Sequence, residues 1–484
     1  YVDRASSEER VASGPFVAQS ALAAALADPN PATAFDAFGD GSYTNPATLA
    51  GLRQDDFSRR TVDQWEANLT AHGPIADWDG RQIELALGSD WRYETLDAWQ
   101  INAAEVAAAS HLQSHAAAVF GELSIPIVTS SQPAWWARQA RASLAARYES
   151  DAGLGSGLTP RAGLDWSPIA HFTLEGSWGR SFSAPDLADL DESANQLAIT
   201  VLPDPKSPSG TSAVLLWTGG NEDLRDETAT TWTAGARFDA LADRLTFAVT
   251  YFDIDYVGRI ERIDYSASFL TDPVYAALVT RDPTPAERQN ACGRGMFVGT
   301  AADCTGAPIA ALIDMRLNNV AATQTSGFDL AAKYRTVLRA GELESGLDAT
   351  YLLAFRQTQF DGTPSENLLD TTGYPIDLRL RGTLSFRHGP FTAAGAVNYF
   401  DSYRDTFSDP ERRIGSWTTV DLQLSYALGQ GGPAALAGTA VTLAAQNVLN
   451  TNPPFVDNPA GVGYDPENAD LLGRLMSLTL RKDW

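Results

Sequence analysis

Long runs in which apolar and polar residues alternate constrain the fold of this chain more than any other feature. In "RQIELALGSDWRYE" one face would carry Ile83, Leu85, Leu87, Trp91 and Tyr93, and the other would carry Gln82, Glu84, Asp90, Arg92 and Glu94. A period of two residues is the period of a β-strand. The run therefore predicts a long strand with one apolar face and one polar face.

Segments of this kind recur along the chain without helical patterns between them, and they predict an all-β fold. They are 62–71, 80–95, 112–126, 134–149, 160–167, 170–182, 228–238, 244–257, 318–336, 342–357, 376–387, 391–400, 416–427, 439–448 and 473–484. Many exceed the usual soluble strand of about five or six residues. Since about 9–11 residues cross a bilayer as a tilted strand, their length favours a membrane barrel over a soluble sandwich.

The connections between these segments alternate in length. "RHGP", "VLRAGE" and "DALADR" are short, and they take turns with long stretches such as 183–227 and 257–317. Up-and-down transmembrane barrels have short periplasmic turns and long extracellular loops. We therefore predict an antiparallel, up-and-down barrel over 1–484, with 183–227 and 257–317 as long extracellular loops. An additional strand within 1–37 brings the expected number to about 15–16.

Two details refine this prediction. In "LTFAVTYFDIDYVG" the apolar residues change phase after Tyr251, which indicates a β-bulge or an exit from the bilayer. The chain ends on "GRLMSLTLRKDW", which is either an ordinary edge strand whose Trp484 folds onto a core or the closing strand of a barrel.

Tryptophans cluster near the predicted short turns. Trp135 and Trp136 flank one turn in "QPAWWARQ", Trp166 lies near the next, and Trp484 would lie at the same level. Trp side chains are enriched at membrane–water interfaces, so we predict that these four residues are interface aromatics. Packing within loops is the alternative.

Charge and hydrophobicity exclude several classes of protein. Lysine and arginine total 35 against 60 acidic residues, a formal net charge of −25, which argues against a nucleic-acid partner. No run approaches the 18 or more consecutive apolar residues of a spanning helix, so a membrane crossing would have to use strands.

The chain has two cysteines, Cys292 and Cys304, in the Gly-rich segment "ACGRGMFVGTAADC". Their spacing favours a disulfide that closes a loop in an oxidising compartment, which would contribute about 3 kcal/mol at best. A pair of free thiols is the alternative. A metal site would need further ligands, and no histidine lies nearby to supply them.

No catalytic residue or cofactor site is predicted. His111 and His115 in "HLQSH" would lie about 13 Å apart on a strand, which disfavours a metal site. The chain contains no nucleophile elbow and no paired metal motif. The loop aromatics could stack on a ligand ring or order the loops, and the second role is favoured; they are Trp217, Tyr265, Phe360, Tyr403 and Phe455.

Several segments, taken in order, resemble the barrel domain of TonB-dependent outer-membrane receptors. They are "LEGSWGRSFSAPDLADL", "GNEDLRDETATTWTAGARF", "LTFAVTYFDIDYVGRI", "NNVAATQTSGFDLAAKY", "AAQNVLNTNPPF" and "LGRLMSLTLRKDW", with "PATAFDAFGDG" and "VFGELSIPIV" also similar. The resemblance extends from about residue 30 to the last strand. The family's barrel has 22 strands preceded by a plug domain, so the resemblance implies that this chain lacks the plug and the first strands. The family usually ends in Phe, and Lys482 occupies a position that is usually apolar or aromatic.

The resemblance implies energy-coupled import of a scarce nutrient across the outer membrane of a Gram-negative bacterium. The nutrient would be a ferric siderophore, cobalamin, haem or a saccharide. The implied partners are the TonB–ExbB–ExbD complex acting through the plug, the lipid bilayer with its lipopolysaccharide, and the barrel assembly machinery that recognises terminal aromatic strands. A passive porin-like channel and a structural or adhesive barrel are the alternatives.

Overall fold

A computed structural model of the chain describes residues 2–17, 19–37, 43–102, 105–151, 155–193, 195–297, 301–319, 322–360, 363–428, 438–458 and 461–482. The strands, in chain order, are β1 Val2–Val17, β2 Arg53–Trp78, β3 Arg81–Asn102, β4 Glu105–Val128, β5 Gln139–Asp151, β6 Gly155–Ile169, β7 Phe172–Ser183, β8 Gln196–Pro203, β9 Thr211–Gly219, β10 Glu227–Ala240, β11 Leu245–Val257, β12 Ile260–Glu261, β13 Val279–Arg281, β14 Met296–Phe297, β15 Ala311–Arg316, β16 Asn318–Asn319, β17 Ala322–Leu338, β18 Gly341–Thr358, β19 Glu366–Asn367, β20 Leu378–His388, β21 Phe391–Phe400, β22 Tyr403–Asp405, β23 Arg412–Ile414, β24 Trp417–Leu428, β25 Thr439–Gln446 and β26 Leu475–Lys482.

The helices are few and short. They are α1 Gln19–Leu26, α2 Pro46–Leu52, α3 Leu187–Leu190, α4 Pro285–Gly293, α5 Ala301–Gly306 and a 3₁₀ helix at Pro273–Leu278. Within the described residues, every helix falls short of the length and apolarity that a membrane crossing requires.

One antiparallel sheet contains most of the strands. In the described residues it has 17 strands, of which β19 spans only two residues, so sixteen are long. Their order in space follows the chain: β1 to β7, then β10, β11, β17, β18, β20, β21, β24, β25 and β26. The predicted all-β, antiparallel up-and-down fold is therefore confirmed, and β1 supplies the strand expected within 1–37.

The two ends of the sheet differ in their connections. At one end, the turn end, Asp79–Gly80 joins β2 to β3 and Ala170–His171 joins β6 to β7. Asp79 and Gly80 have φ angles of 57° and 75°, and two positive φ angles are what a tight two-residue hairpin requires. At the opposite end, the loop end, residues 184–226 separate β7 from β10, and residues 447–474 separate β25 from β26.

The alternation of long and short connections does not extend into the N-terminal half. Two residues separate β3 from β4 at the loop end, and three residues separate β5 from β6. Backbone pairing continues through the expected gap at 96–111, for example between Asp97 and His111. The Ala-rich stretch around 103–109 hides the alternation there, because alanine fits either face of a sheet.

The predicted bulge in β11 is also wrong. Each residue of β11 pairs with β10 and with β17 from Leu245 to Val257, without a shift in register. The apolar residues after Tyr251 therefore lie on the polar face of the sheet. One of them, Phe252, packs against Gly327, where an added Cβ would lie 3.0 Å from the Phe252 ring. The register shift occurs in the neighbouring pair of β17 and β18, next to Gly327.

Candidate functional site: the inner wall and the loop layer

The two faces of the sheet differ in polarity, as the alternation predicts. Residues paired across neighbouring strands point to the same face. In β24, β25 and β26 one row consists of Leu424, Leu443 and Leu478, all exposed, and the adjacent row consists of Ser425, Thr442 and Thr479. We call the leucine-bearing face the outer face and the opposite one the inner wall.

Three of the four predicted interface aromatics belong to the described residues, and all three lie near the turn end. Trp135 is 97% exposed, and Trp136 lies beside it in the connection between β4 and β5. The indole Nε1 of Trp166 donates to the carbonyl oxygen of Trp136 at 3.2 Å, which ties two of these residues together. Trp484 lies outside the described residues. A role at a membrane interface stays a prediction for all four.

A second row of aromatics lies on the outer face toward the loop end, and the sequence reasoning missed it. The row includes Trp65, Trp91, Trp178 and Trp232, all of which keep the phase of the outer leucines in their strands. The rings of Trp178 and Trp232 lie 6.0 Å apart. The alternation contained this signal, since each tryptophan continues the apolar phase of its strand away from the short turn. Two aromatic rows now bound the apolar part of the outer face, as in transmembrane barrels.

Charged and hydroxyl side chains line the inner wall. The guanidinium of Arg147 donates to the carboxylates of Asp90 at 2.8 Å and Glu149 at 2.6 Å. Farther around the wall, the ammonium of Lys333 lies 2.8 Å from the carboxylate of Glu344. The Arg147–Asp90 pair bridges β5 and β3 across β4, and the Lys333–Glu344 pair links the neighbours β17 and β18. These contacts match a polar lumen rather than a packed apolar core.

Two adjoining cavities indent this wall along β4, β5, β6, β7 and β10. The cavity toward the loop end measures about 580 Å³, and the one toward the turn end about 430 Å³. They share five lining residues, Glu122, Ala145, Arg161, Ser177 and Thr233. The two cavities therefore form one continuous groove.

Two of the long connections fold together into a small domain of their own. This loop domain comprises residues 184–193, 195–226, 258–297 and 301–319, and it contains a mixed five-stranded sheet in the order β13, β15, β9, β8, β14. The hairpin of β8 and β9 comes from the first connection, and β15, which runs parallel to β9, comes from the second. The expected long loops are thus a folded unit, built by pairing residues about a hundred positions apart.

The loop domain has its own apolar core. One cluster gathers Leu202, Val214, Phe269 and Ile313, and a second gathers Leu197, Leu215 and Trp217. Cys292 and Cys304 form a disulfide beside the second cluster, with their Cα atoms 6.0 Å apart. The disulfide joins α4 to α5, so it holds the two helices against the sheet.

Two ion pairs hold the two connections together. Arg316, whose side chain is 7% exposed, donates to Glu192 and to Asp314, each at 2.8 Å, and stacks 3.7 Å from the centre of the Trp217 ring. Glu192 belongs to the first connection and Arg316 to the second. A buried arginine with two carboxylate partners and an aromatic face is well satisfied, so this contact fixes how the two connections meet.

Asp204 and Arg281 form the second pair. The guanidinium of Arg281 donates to both carboxylate oxygens of Asp204, at 3.1 and 3.2 Å, and the hydroxyl of Ser212 donates at 2.7 Å. The guanidinium, followed by the hydroxyl, lowers the pKa of Asp204 from its ordinary value of 3.8 to about 2. Asp204 therefore stays ionised at all but strongly acidic pH.

Three further long connections at the loop end, those after β18, β21 and β25, meet in a separate polar network. The carboxylate of Asp465 accepts hydrogen bonds from the Nδ2 of Asn468 at 2.8 Å and from the backbone N–H of Gly373 at 3.1 Å. The Oδ1 of Asn468 accepts from Arg379 at 2.6 Å. Burial, together with the nearby Asp465 carboxylate, raises the pKa of Tyr403 well above its usual range. The loop domain and these three connections together form the loop layer.

Most of the loop aromatics serve as packing residues. Trp217, Phe360 and Tyr403 are buried in three different apolar clusters. Tyr265 and Phe455 are 57% and 61% exposed and remain accessible to a ligand. The favoured role, ordering the loops, therefore holds for three of the five residues.

The histidines do not converge on a site. His111 and His115 lie on the outer face of β4, and the His111 ring contacts the carboxylate of Asp97 at 2.8 Å. In the part of the chain that the structure describes, no three His, Cys, Asp or Glu side chains are arranged to hold a metal ion.

Comparison with known proteins supports the resemblance noted in the sequence. The family model "TonB dependent receptor-like, beta-barrel" matches residues 21–450. No curated protein matches the chain closely enough to count as a relative.

Solved structures show the same fold at low sequence identity. The siderophore receptor PirA from Acinetobacter baumannii is 13% identical with a TM-score of 0.57, and the match covers 88% of this chain and 60% of that one. The ferric enterobactin receptor PfeA from Pseudomonas aeruginosa, in complex with enterobactin, is 16% identical with a TM-score of 0.57, covering 88% and 54%. The outer-membrane transporter YddB from Escherichia coli is 12% identical with a TM-score of 0.52, covering 92% and 56%.

The chain thus spans a little more than half the length of these solved proteins. Receptors of the matched family are transporters rather than enzymes and reside in the Gram-negative outer membrane. The match over most of the chain, together with its sixteen-stranded up-and-down sheet, establishes that this chain belongs to the β-barrel family of TonB-dependent receptors.

Proposed function

We propose that this chain forms the barrel of an outer-membrane active transporter that imports a scarce nutrient. The observation that carries the proposal is the family match over residues 21–450. It is supported by a sheet with an apolar outer face and a charged inner wall, the arrangement of a transmembrane barrel with a polar lumen. Energy would come from the TonB–ExbB–ExbD complex of the inner membrane.

A ferric siderophore is the first nutrient to test. Two of the similar solved proteins are named as a siderophore receptor and a ferric enterobactin receptor. The other candidates are cobalamin, haem and saccharides. The plug and the first strands of a 22-stranded barrel would belong to parts of the protein outside residues 1–484, because the solved proteins are much longer than this chain.

In this proposal the loop end is extracellular and the turn end is periplasmic. Residues 183–227 and 257–317 would then lie outside the cell, where the disulfide of Cys292 and Cys304 suits an oxidising environment. The outer face would contact the bilayer and its lipopolysaccharide, with Trp135, Trp136, Trp166 and Trp484 at the periplasmic interface. The last strand would be recognised by the barrel assembly machinery.

Uptake by cells that carry the full-length protein tests the proposal. Cells lacking the gene, with and without a plasmid copy, would receive ⁵⁵Fe-labelled hydroxamate, catecholate and carboxylate siderophores, and labelled cobalamin, haem and oligosaccharide in parallel. We expect one class to accumulate only with the plasmid, and only when TonB and the proton-motive force are intact. Accumulation that persists without TonB would instead identify a passive porin-like channel, and no accumulation of any class would identify a structural barrel.

Variants of exposed loop aromatics extend this test. Tyr265→Ala and Phe455→Ala should weaken cell-surface binding of the transported class about tenfold if these rings stack on it, since a stacked aromatic contributes about 1–1.5 kcal/mol. Val201→Ala, at an exposed position of the loop domain, is the matched control.

A further inference from the structure

The groove on the inner wall runs along the strands rather than across them. Near the loop end it is lined by Ser181, Thr231 and Arg147, and near the turn end by Asp165 and Glu175. Every one of these residues belongs to the inner phase of its strand. The groove therefore extends from the level of the loop layer toward the opposite mouth of the sheet.

Small side chains make room for the groove. Ala145, Gly163 and Gly179 lie on its floor, on three successive strands. A Cβ added at Gly163 would come within 2.7 Å of the hydroxyl oxygen of Ser143, its neighbour in the groove lining, so a larger side chain there would fill the groove. The indentation therefore depends on these small residues.

Three carboxylates and three arginines line the groove, and two further carboxylates pair with one of these arginines. In its lower part Arg161 is accompanied by three carboxylates, those of Glu122, Asp165 and Glu175. In its upper part Arg147 is already paired with two carboxylates, those of Asp90 and Glu149. Arg180 also borders the upper cavity, but by register it shares the outer phase of β7 with Trp178. Five carboxylates therefore surround three arginines, and a cleft with an excess of one sign of charge concentrates solutes of the opposite sign.

Hydroxyl groups complete the lining. Ser177 and Thr233 form a cross-strand pair with their oxygens 2.6 Å apart, and Thr159 and Thr231 lie nearby. Hydroxyls both donate and accept, so they can replace the hydration of a polar solute as it moves along the wall.

We propose that this groove is a solute-contacting path that favours uncharged or cationic polar solutes over anions. The proposal rests on the transport function proposed above and adds where the solute touches the barrel and which charge it carries. It points away from strongly anionic iron complexes and toward neutral or cationic ones.

Charged thiol reagents test the groove in the full-length protein. Ser177→Cys places a thiol in the groove, while Cys292 and Cys304 are held in their disulfide. Ser425→Cys is the matched control, because Ser425 and Thr442 form a similar cross-strand hydroxyl pair on the inner wall, 3.0 Å apart, outside the groove. Each variant would be treated with a cationic and an anionic methanethiosulfonate of similar size, at low ionic strength.

We expect the ratio of cationic to anionic labelling rates to be about fivefold higher at Ser177→Cys than at Ser425→Cys. Adding Glu122→Gln and Asp165→Asn to Ser177→Cys should lower its labelling ratio to that of Ser425→Cys. Equal ratios in the parent variants, or faster anionic labelling at Ser177→Cys, would overturn the charge preference. Failure of both reagents to label Ser177→Cys would overturn the groove as a solute path.

Uptake after labelling separates this inference from the proposed function. Modification at Ser177→Cys should reduce uptake of the transported nutrient at least fivefold, while modification at Ser425→Cys should leave it unchanged. Undiminished uptake after complete labelling at Ser177→Cys would refute the path while leaving active transport intact. Uptake that never depended on TonB would refute the proposed function, whatever the labelling pattern.

Discussion

At the scale of single residues, the loop domain is held by charges that bridge distant parts of the chain. Asp204 follows β8, and Arg281 ends β13, yet their side chains meet with two hydrogen bonds. The Asp204 side chain is almost fully buried, so its charge depends on the partner. Neither residue belongs to a recognisable motif, and the sequence offered no signal that they would pair.

This pair predicts acid sensitivity of the loop domain. Because the folded pKa of Asp204 is lowered from 3.8 to about 2, its contribution to stability is present above pH 4 and is lost as the pH falls toward 2. Asp204→Asn should remove that contribution at neutral pH, at a cost of roughly 3 kcal/mol, since Arg281 is left without its partner. The measurement is protease protection of the loop domain between pH 7 and pH 2.

The control for this prediction is Asp223→Asn, at an exposed carboxylate of the same domain. Asp223→Asn should show the same protease protection of the loop domain as the parent protein at every pH. Identical protection profiles for Asp204→Asn and the parent would contradict the assigned role of the pair.

At the scale of elements, alternation gave reliable information about strands and their faces. The phase of Leu478 and Thr479 in "LMSLTLRK" matches the outer and inner faces found in β26. Alternation was silent about β9, whose "AVLLW" is buried on both faces, and about β15, because short buried strands carry no period. It misled in β11, where the inner-face ring of Phe252 packs against Gly327 and the strand stays regular.

The facing of β26 yields a quantitative prediction. Leu478 is 72% exposed on the outer face beside Leu443, so Leu478→Arg should destabilise the folded protein by about 2–4 kcal/mol in a bilayer. Thr479→Arg, on the inner wall beside Thr442, should cost far less. Urea titration of the full-length protein folded into phospholipid vesicles measures both values, and equal costs at the two positions would refute the assigned faces.

At the scale of the whole molecule, the loop layer joins parts of the sheet that are remote in sequence. Phe360, in the connection after β18, is buried in the first apolar cluster of the loop domain, and its ring meets that of Tyr275 edge-on at 6.2 Å. The amide of Gln357 also donates to Glu261 at 3.0 Å. These contacts attach the end of β18 and the connection that follows it to the loop domain, which makes the loop layer one packed structure.

Removal of the Phe360 ring should therefore loosen the layer at a distance. Phe360→Ala should cost about 3–5 kcal/mol in local stability, as for other buried rings, and should accelerate amide hydrogen exchange across 258–297. Exchange in β20 and β21 should not change. Phe455→Ala, at an exposed ring, is the control, and unchanged exchange in Phe360→Ala would show that the layer is not coupled through this residue.

The site was less predictable than the fold for a physical reason. The polar face of each strand could be deduced from the alternation, so the charges of the inner wall were foreseeable one strand at a time. The groove depends on Ala145 and Gly179 flanking Arg161 in one row and on Gly163 lying in the next row, which only the register decides. The phase of Trp65 and Trp178 in their strands would have predicted the second aromatic row, whereas the prediction considered only tryptophans near the short turns.

The parallel pairing of β9 with β15 restricts how the loop domain can diverge. Two of the five strands of that sheet lie in residues 184–226 and three lie in residues 258–319, and the core is shared between them. A recombination event that replaced one of these segments alone would bring in strands without partners. Exchange of both segments together would keep these strands paired, even though β10 and β11 separate the segments in the sequence.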